Sequence, residues 1–370
     1  MNISIFIDVK LNRNGVGSYF HDLSVFFKEN NMNVKLYNPE SINKICGSFA
    51  YPGDKTQRIV FPSYKEIEKD IKKNRPDVLL FTFFGPITLA GMRIAKKYKI
   101  PYIYVMNSSL KEFIDFYYRG VSHFALQKSS SYVEKKLIKN AHHVVTVNSK
   151  MHEIPKKYNT QSVITLGTLI DSAFLKNDPP HLVNQINSIL FFGRLAIEKN
   201  VDSFIQAAKQ LPQLNFNIAG DGPLREMVEK KSTQITNLNY LGWVDRKEII
   251  NVIDSNDMVI MPSAFEAFGT VALEGLSRGR IVIVGENHGI REFEPLNQCL
   301  FNVDEFTENI STIEFEGGLE NIVKDYANSN LILDYNKSIE TLSIDGDGII
   351  EGTLLEMEPG EISSILFTDN

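Results

Sequence analysis

The sequence predicts an α/β protein of two doubly wound parallel sheets in series, facing a cleft. Three observations lead there. Short apolar runs alternate along the chain with stretches whose apolar residues recur at helical spacing. A stiff polar segment, Asn177-Asp178-Pro179-Pro180, divides that alternation into two halves. Glycine-bearing loops follow several of the apolar runs, at the carboxyl edge where open sheets bind ligands.

In the first half, strands are expected near residues 3–7, 34–37, 78–82, 102–106, 144–148 and 163–166. After the first glycine turn a helix carries Tyr19, Leu23, Phe26 and Phe27 at helical spacing. Ser63-Tyr64-Lys65-Glu66 has the pattern of a capping box, opening a helix with Ile67 and Ile71 inside and Lys65, Lys69, Lys72 and Lys73 on or beside its other face. That basic face is either a plain solvated surface or a rest for an anionic membrane. The second half has strands expected near 187–193, 215–218, 238–241, 258–261 and 281–284. Its first helix places Val201, Phe204, Ile205, Ala208 and Leu211 on one face. After about residue 306 the pattern changes. Residues 317–327 read as one short helix, and 342–366 alternate and turn like β structure around Asp345-Gly346-Asp347-Gly348 and Glu358-Pro359-Gly360. The domains are therefore drawn at 1–178, 181–305 and an atypical, acidic, partly β tail at 306–370.

At 370 residues the chain has room for two cored domains, and no apolar run approaches the roughly 20 residues of a membrane span. The start reads as a strand and carries no basic leader, so a cytoplasmic protein is expected. Cys46 and Cys299 lie far apart and read as ordinary buried thiols. The net charge of −6 conceals a split: 26 Lys and Arg against 15 Asp and Glu up to Pro180 (+11), then 13 against 30 (−17). A basic first half either faces something anionic or reflects biased lysine usage on a solvated surface, while the acidic half argues against a nucleic-acid partner.

The stretch Pro262-Ser263-Ala264-Phe265-Glu266-Ala267-Phe268-Gly269-Thr270 joins a buried apolar run to a helix. The amides of Phe268, Gly269 and Thr270 would face an incoming phosphate or sugar oxygen. Glu266 would lie on the loop, and Glu274 within the helix, suited to paired hydroxyls. Two surface glutamates around an ordinary strand–helix turn is the competing reading of this stretch alone. Gly193-Arg194-Leu195 with Glu198-Lys199-Asn200 offers a guanidinium and an ammonium at the same edge, fit to neutralise a diphosphate. Asn14-Gly15-Val16-Gly17-Ser18 opens the first helix as a phosphate-approaching loop would, without the full dinucleotide fingerprint. Gly220-Asp221-Gly222-Pro223 taken alone is no more than a turn.

As a set these motifs match a known pattern. Gly193-Arg194-Leu195, Glu198-Lys199-Asn200, Ala219-Gly220-Asp221-Gly222-Pro223-Leu224, Leu241-Gly242-Trp243-Val244 and the Glu-x7-Glu pair Glu266/Glu274 stand in family order and spacing. The chain resembles the retaining family-4 glycosyltransferases of GT-B fold, with two Rossmann-like domains, strongly over residues 187–292 and moderately over the first half. Asn287-His288-Gly289-Ile290-Arg291-Glu292 resembles the next glycine-rich loop but departs in detail.

The resemblance implies catalytic roles for Arg194 and Lys199 on the donor phosphates and for Glu266 at the donor sugar. Gly193, Ala267, Phe268, Gly269 and Thr270 would help bind the donor, Glu274 its ribose hydroxyls, and Gly15 and Gly17 would meet donor and acceptor. It implies retention of anomeric configuration, with the leaving phosphate taking the acceptor proton. It also implies no metal, because two cations replace it, and none of the seven histidines suggests a metal cluster. The expected donor is a UDP- or GDP-linked sugar. Asn74-Arg75-Pro76-Asp77-Val78-Leu79 and the segment from Ile100 resemble members that glycosylate lipids. There a His-Thr pair follows the strand ending at Met106; this chain has Asn107 and Ser108, followed by Phe113 and Phe116. Asn107 can bind a hydroxyl but cannot exchange a proton at neutral pH.

The expected function is thus transfer of a hexose from a nucleotide sugar to a lipid or glycan, with peripheral contact between the basic half and an anionic membrane at its inner face. The alternative is a non-catalytic GT-B module that binds a protein or glycan and assists an active partner, favoured by Asn107 and the unusual tail. An oxidoreductase is disfavoured by the incomplete dinucleotide fingerprint.

Overall fold

The computed structural model describes residues 1–302 apart from 12–14, 30, 52–53, 83–84, 109–110, 112–113, 115–119, 159–162, 166–167, 169–170, 175–185, 265, 286–287 and 293–300. These fall into two compact units, the first holding Met1–Leu169 and the second beginning at Ile170. The break expected at 177–180, Asn14, Phe113, Phe116, Asn287, Cys299, the domain limit at 305 and the whole tail with its helix and turns lie outside the described residues.

The first unit is a six-stranded parallel sheet of β1 (Asn2–Phe6), β2 (Asn33–Tyr37), β5 (Val78–Thr82), β6 (Tyr102–Met106), β7 (His143–Thr146) and β8 (Val163–Thr165), ordered β2-β1-β5-β6-β7-β8. Helices α1 (Gly15–Glu29), α2 (Tyr64–Lys73), α3 (Pro86–Tyr98), α4 (Gly120–Asn140) and α5 (Ser149–Lys156) lie between strands along the chain. β5, β6 and β7 are buried at every position, as expected for strands covered on both faces. Phe6 stacks on Tyr37 at 4.6 Å between centroids and meets Phe81 edge-on at 5.6 Å.

Four details depart from the sequence reading. The inner face of α1 is Tyr19, Phe20 and Phe27, while Leu23 and Phe26 are only half-buried. The first turn of α2 has no side-chain cap at Ser63: the Glu66 N–H that its hydroxyl would hold donates to Ser63 O at 3.2 Å, and the Ser63 N–H that Glu66 would hold donates to Lys44 O at 2.9 Å; Ile67 and Ile71 are buried as expected. An antiparallel hairpin, β3 (Ile45–Tyr51) with β4 (Asp54–Pro62), stands between β2 and α2, where none was expected. Cys46 lies on that hairpin and is exposed, not buried, since the main sheet does not cover β3.

The second unit has β9 (Ser188–Phe192), β10 (Asn215–Ala219), β11 (Leu238–Gly242), β12 (Met258–Met261), β13 (Ile281–Val284) and β14 (Phe301–Asn302), ordered β11-β10-β9-β12-β13-β14 and parallel throughout. Its helices are α6 (Val201–Gln210), α7 (Arg225–Ser232), α8 (Arg246–Asp254) and α9 (Thr270–Ser277). The predicted face Val201, Phe204, Ile205, Ala208 and Leu211 is wholly buried. Phe204 packs between Phe191 and Phe216. Charges near the amino edge are structural. Asp257 accepts from the Asn187 and Ser188 amides at 2.9 Å each, and Arg278 grips Asp254 through two bonds of 2.7 and 2.6 Å. Each unit thus has a doubly wound sheet whose strand order reverses beside its first strand, β1 in one and β9 in the other, which places a crevice at the carboxyl edge.

Candidate functional site

The loops after β9, β10, β12 and β13 all leave the carboxyl edge of the second sheet. They are packed backbone on backbone. Gly193 N donates to Ala219 O at 2.9 Å, Leu195 N to Asp221 O at 3.0 Å, and Leu224 N to Leu195 O at 2.9 Å. Gly220 and Gly222 have φ of +151° and +156°, and a Cβ on them would fall 1.9 Å from Gly193 O and 2.5 Å from Leu195 O. Only glycine allows this approach. The Gly220-Asp221-Gly222 loop is therefore a buttress that shapes the Arg194 loop, which its sequence alone did not reveal.

That buttressed loop continues into a 3-10 turn, Ile197–Lys199, then α6. Lys199 Nζ pairs with Glu266 Oε1 on the loop after β12, joining residues 67 apart in sequence at the strand-order switch between β9 and β12. Arg194 pairs with Glu198, whose carbonyl accepts from Ala264 N at 3.2 Å. The two predicted cations are thus each matched by a carboxylate of the protein. Gly193 lies 4.0 Å, measured from a built Cβ, from Val271 in the first turn of α9.

Glu266 is itself held firmly. Ser263 Oγ donates to its Oε1 at 2.9 Å. Burial alone would raise the Glu266 pKa, but the Lys199 ammonium, with His288 and the Ser263 hydroxyl, outweighs it and keeps the group below its ordinary value. The backbone is clipped as well: Gly289 N donates to Glu266 O at 3.0 Å and Ile290 N to Phe268 O at 2.8 Å. Gly269, at φ +103°, precedes α9, whose first residues are Thr270 and Val271. The clip orients the Glu266–Phe268 segment against the start of that helix, whose N-terminal dipole favours negative charge.

His288 organises this corner. It is 2% exposed, and its Nε2 bonds Ser263 O at 3.1 Å. A carbonyl only accepts, so Nε2 carries the proton and Nδ1 is a bare acceptor. Among the described residues Nδ1 has no hydrogen-bond partner, and it sits 3.4 Å from a Cβ built on Gly269. Burial pushes the ring's pKa down to about 4, against the pull of Glu266. A histidine whose folded pKa is depressed leaves the unfolded chain the stronger proton binder, so stability falls as pH drops from about 6.5 toward 4. Between pH 7 and 4.5 this amounts to about 2 kcal/mol. In His288→Gln, which keeps an amide donor for Ser263 O but cannot titrate, urea melts at the two pH values should differ by about that much less than in the wild type. An unchanged pH dependence would show that His288 does not titrate in this way.

Glu274 is buried in α9, and Arg246 Nη1 donates to its Oε1 at 3.0 Å. Arg246 also reaches Asp171 Oδ2 at 3.3 Å and lies over the Phe174 ring at 5.5 Å. Asp171 and Arg246 carried no signal in the sequence, since their partners stand 75 and 28 residues away.

In the first unit Gly15 and Gly17 open α1, Gly15 exposed and Gly17 buried. Asn107 follows β6, half-buried, with Oδ1 accepting from Thr82 Oγ1 at the end of β5 at 3.1 Å. Sequence reasoning missed Asp8, beyond the end of β1. Its carboxylate accepts from Ile87 N at 2.8 Å and Thr88 N at 3.0 Å, capping α3 from across the crevice between β1 and β5. Burial raises its pKa to about 6, although those hydrogen bonds oppose the shift. Of the predicted site residues, Gly15, Gly17 and Asn107 belong to the first unit. Gly193, Arg194, Lys199, Glu266, Ala267, Phe268, Gly269, Thr270 and Glu274 belong to the second, all on or beside the loops of its carboxyl edge.

Sequence families match both units. Residues 13–168 match the model described as Glycosyltransferase Family 4, and 176–336 that described as Glycosyl transferases group 1. The chain belongs to these glycosyltransferases. The gpi3 subunit of phosphatidylinositol N-acetylglucosaminyltransferase of Schizosaccharomyces pombe is 27% identical to this glycosyltransferase-family chain over 208 residues, 51% of the chain and 45% of the subunit. The chain thus spans less than half of that relative's length. Among solved structures, the sucrose-phosphate synthase of Thermosynechococcus elongatus superposes with a TM-score of 0.73, at 13% identity, covering 100% of this chain and 99% of the synthase. Anabaena HepE in complex with UDP-glucose superposes with a TM-score of 0.64 at 15% identity, over 91% and 93% of the two chains. At these identities the likeness establishes the fold, which is GT-B.

Proposed function

We propose that this family member transfers a hexose from a nucleotide sugar, UDP- or GDP-linked, to a lipid or glycan acceptor, with retention of configuration and without a metal. The observation that carries the reading is the Lys199–Glu266 pair at the β9/β12 switch, beside the start of α9. It places an ammonium, a carboxylate and a helix N-terminus on one carboxyl edge. Arg194 and Lys199 would stabilise the diphosphate as it departs, a task that needs cations fixed before the reaction begins. Their carboxylate partners Glu198 and Glu266 hold them there, and Glu266 would turn to the sugar once phosphate oxygens take its place on Lys199. Gly193 and the segment Ala267–Thr270 would bind phosphate and sugar, and Glu274, aligned by Arg246, would accept from ribose hydroxyls. A leaving phosphate oxygen would take the acceptor proton. Gly15, Gly17 and Asn107 would meet the acceptor side. Support comes from the relatives by name: the gpi3 subunit belongs to an enzyme named for a phosphatidylinositol acceptor, and HepE was solved with UDP-glucose. No described helix is long and apolar enough to cross a membrane, so contact of the basic half with an anionic bilayer would be peripheral.

The test is calorimetric titration against UDP, GDP, ADP and their common sugar conjugates, with EDTA present. Selective micromolar binding unaffected by EDTA is expected, and slow donor hydrolysis should accompany the nucleotide that binds. Abolition of binding by EDTA would remove the metal-free reading. The second reading, a non-catalytic module that assists an active partner, is favoured by Asn107, whose Oδ1 is engaged by Thr82 and which cannot relay a proton. Failure to bind any nucleotide would leave that module as the function.

A further inference from the structure

The β3–β4 hairpin has no part in the donor site, yet its surface is unusual. Cross-strand pairs place Ser48 opposite Val60 and Phe49 opposite Ile59. Arg58 Nε and Nη2 both reach Ser48 Oγ, at 3.1 and 2.8 Å, so Arg58, Ser48 and the buried Val60 share one face. Phe49, Ile59 and Phe61 therefore share the other. There the Phe49 and Phe61 rings lie 5.8 Å apart, exposed at 48% and 43%. Clustered apolar side chains in water mark a contact surface.

The helix that follows β4 carries exposed cations. β4 runs directly into α2, and the Ser63–Lys44 backbone bond closes the foot of the hairpin against that helix. On α2, Glu68 is paired with Lys97 at 2.6 Å and Asp70 with Lys35 at 2.5 Å. Lys65, Lys69, Lys72 and Lys73 are exposed, with Glu66 as the exposed acid among them. Position matters too. β3 follows the carboxyl end of β2, and Gln57 on β4 accepts from Lys10 N, just past β1, at 3.4 Å. The hairpin thus rises beside the carboxyl edge that carries Asp8 and the start of α1.

We propose that this hairpin docks the first unit onto an anionic lipid bilayer. Phe49 and Phe61 enter the boundary between headgroups and acyl chains, and the lysines of α2 lie against the phosphates. Solvated ammoniums on a polar helix face suit a diffuse anionic surface better than a fixed carboxylate partner. The benefit of docking rests on the proposed lipid acceptor, since it would bring the carboxyl edge of the first sheet to headgroup level. The docking itself does not.

Co-sedimentation of the full chain with phosphatidylglycerol–phosphatidylcholine vesicles tests this. Binding is expected, falling at least tenfold in pure phosphatidylcholine, in about 0.5 M salt, and in Phe49→Ser/Phe61→Ser, whose thermal melt should match the wild type because both rings are exposed. As a second measurement, Phe49→Trp should shift its emission to the blue on anionic vesicles. Wild-type protein that stays in solution, or a serine variant that sediments undiminished, would overturn the proposal. So would a change in oligomeric state in the serine variant without vesicle binding by the wild type, which would make the hairpin a protein interface. Nucleotide titration without vesicles decides the transferase reading separately: vesicle binding with no nucleotide binding supports docking alone, and the reverse removes it.

Discussion

Lys199→Ala is expected to lower turnover about a hundred- to a thousandfold while the fold survives. The first part follows from the proposed function, in which charge would build on a departing diphosphate and removal of one fixed donor has that scale of effect. The second follows from the pair itself. Lys199 and Glu266 are 22% and 13% exposed at the side chain, so removing the ammonium strands a mostly buried carboxylate. Complete burial would make that loss about 3–5 kcal/mol. Here the Ser263 hydroxyl remains on Glu266 and water has some access, which brings the expected loss to about 1–3 kcal/mol. Stability and catalysis can then be separated. In Lys199→Ala/Glu266→Gln the stranded charge is gone, so the melting temperature should recover while turnover does not. Recovery of both would mean that Lys199 serves Glu266 and not the phosphates. Undiminished turnover in both Lys199→Ala and Arg194→Ala would remove the phosphate assignment altogether.

The pairing of both cations with carboxylates also bears on how the site would work. Arg194 with Glu198 and Lys199 with Glu266 form a locally neutral set in the protein alone. Under the proposed function a diphosphate would displace carboxylate oxygens to reach the cations, which would lower its affinity but leave the cations in position for the leaving group. Such preorganisation favours a group whose charge grows during reaction over one whose charge is constant.

The strands were legible because they are buried parallel strands. Val78–Thr82, Tyr102–Met106, Met258–Met261 and Ile281–Val284 are continuous apolar runs, and the sequence reading places them to the residue. The hairpin was not legible, because β3 is exposed from Ile45 to Ala50 and therefore lacks a hydrophobic rhythm. Pro52-Gly53 between its strands was the available signal. At the candidate site, motif spacing singled out loops that the fold gathers on one carboxyl edge, but not what holds their side chains. Glu198 stood within a quoted motif, yet its pairing with Arg194 depends on the 3-10 turn. Asp171 and Arg246 work through partners that only the fold brings near. The capping box at Ser63 failed in both halves: a distant carbonyl, that of Lys44, took the Ser63 amide, and the Ser63 carbonyl took the Glu66 amide.

Gly220→Ala should unfold the second unit at markedly lower temperature and weaken nucleotide binding, although it removes no functional group. The added methyl would lie 1.9 Å from Gly193 O and 3.0 Å from Gly193 C, which are backbone atoms that cannot rotate away. Gly193 N is bound to Ala219 O at 2.9 Å and Gly220 N to Gly242 O at 2.7 Å, so neither strand end can retreat without losing a ladder bond. The residue's φ of +151° alone carries about 1–3 kcal/mol of strain for a side chain. With the clash added, a loss above about 3 kcal/mol is expected, or roughly 6–12 °C in a thermal scan for a unit of this size. Because Gly193 leads into Arg194, any relaxation moves the guanidinium, and affinity for the nucleotide should fall with stability. Gly15→Ala supplies the contrast, since a Cβ there meets nothing within 4 Å and the position begins α1. There the substitution should leave the melting temperature unchanged or raise it by restricting the unfolded chain. If Gly220→Ala melted like Gly15→Ala, the two loops could not be packed as closely as the buttress requires, and the link from the Gly220 motif to Arg194 would be lost.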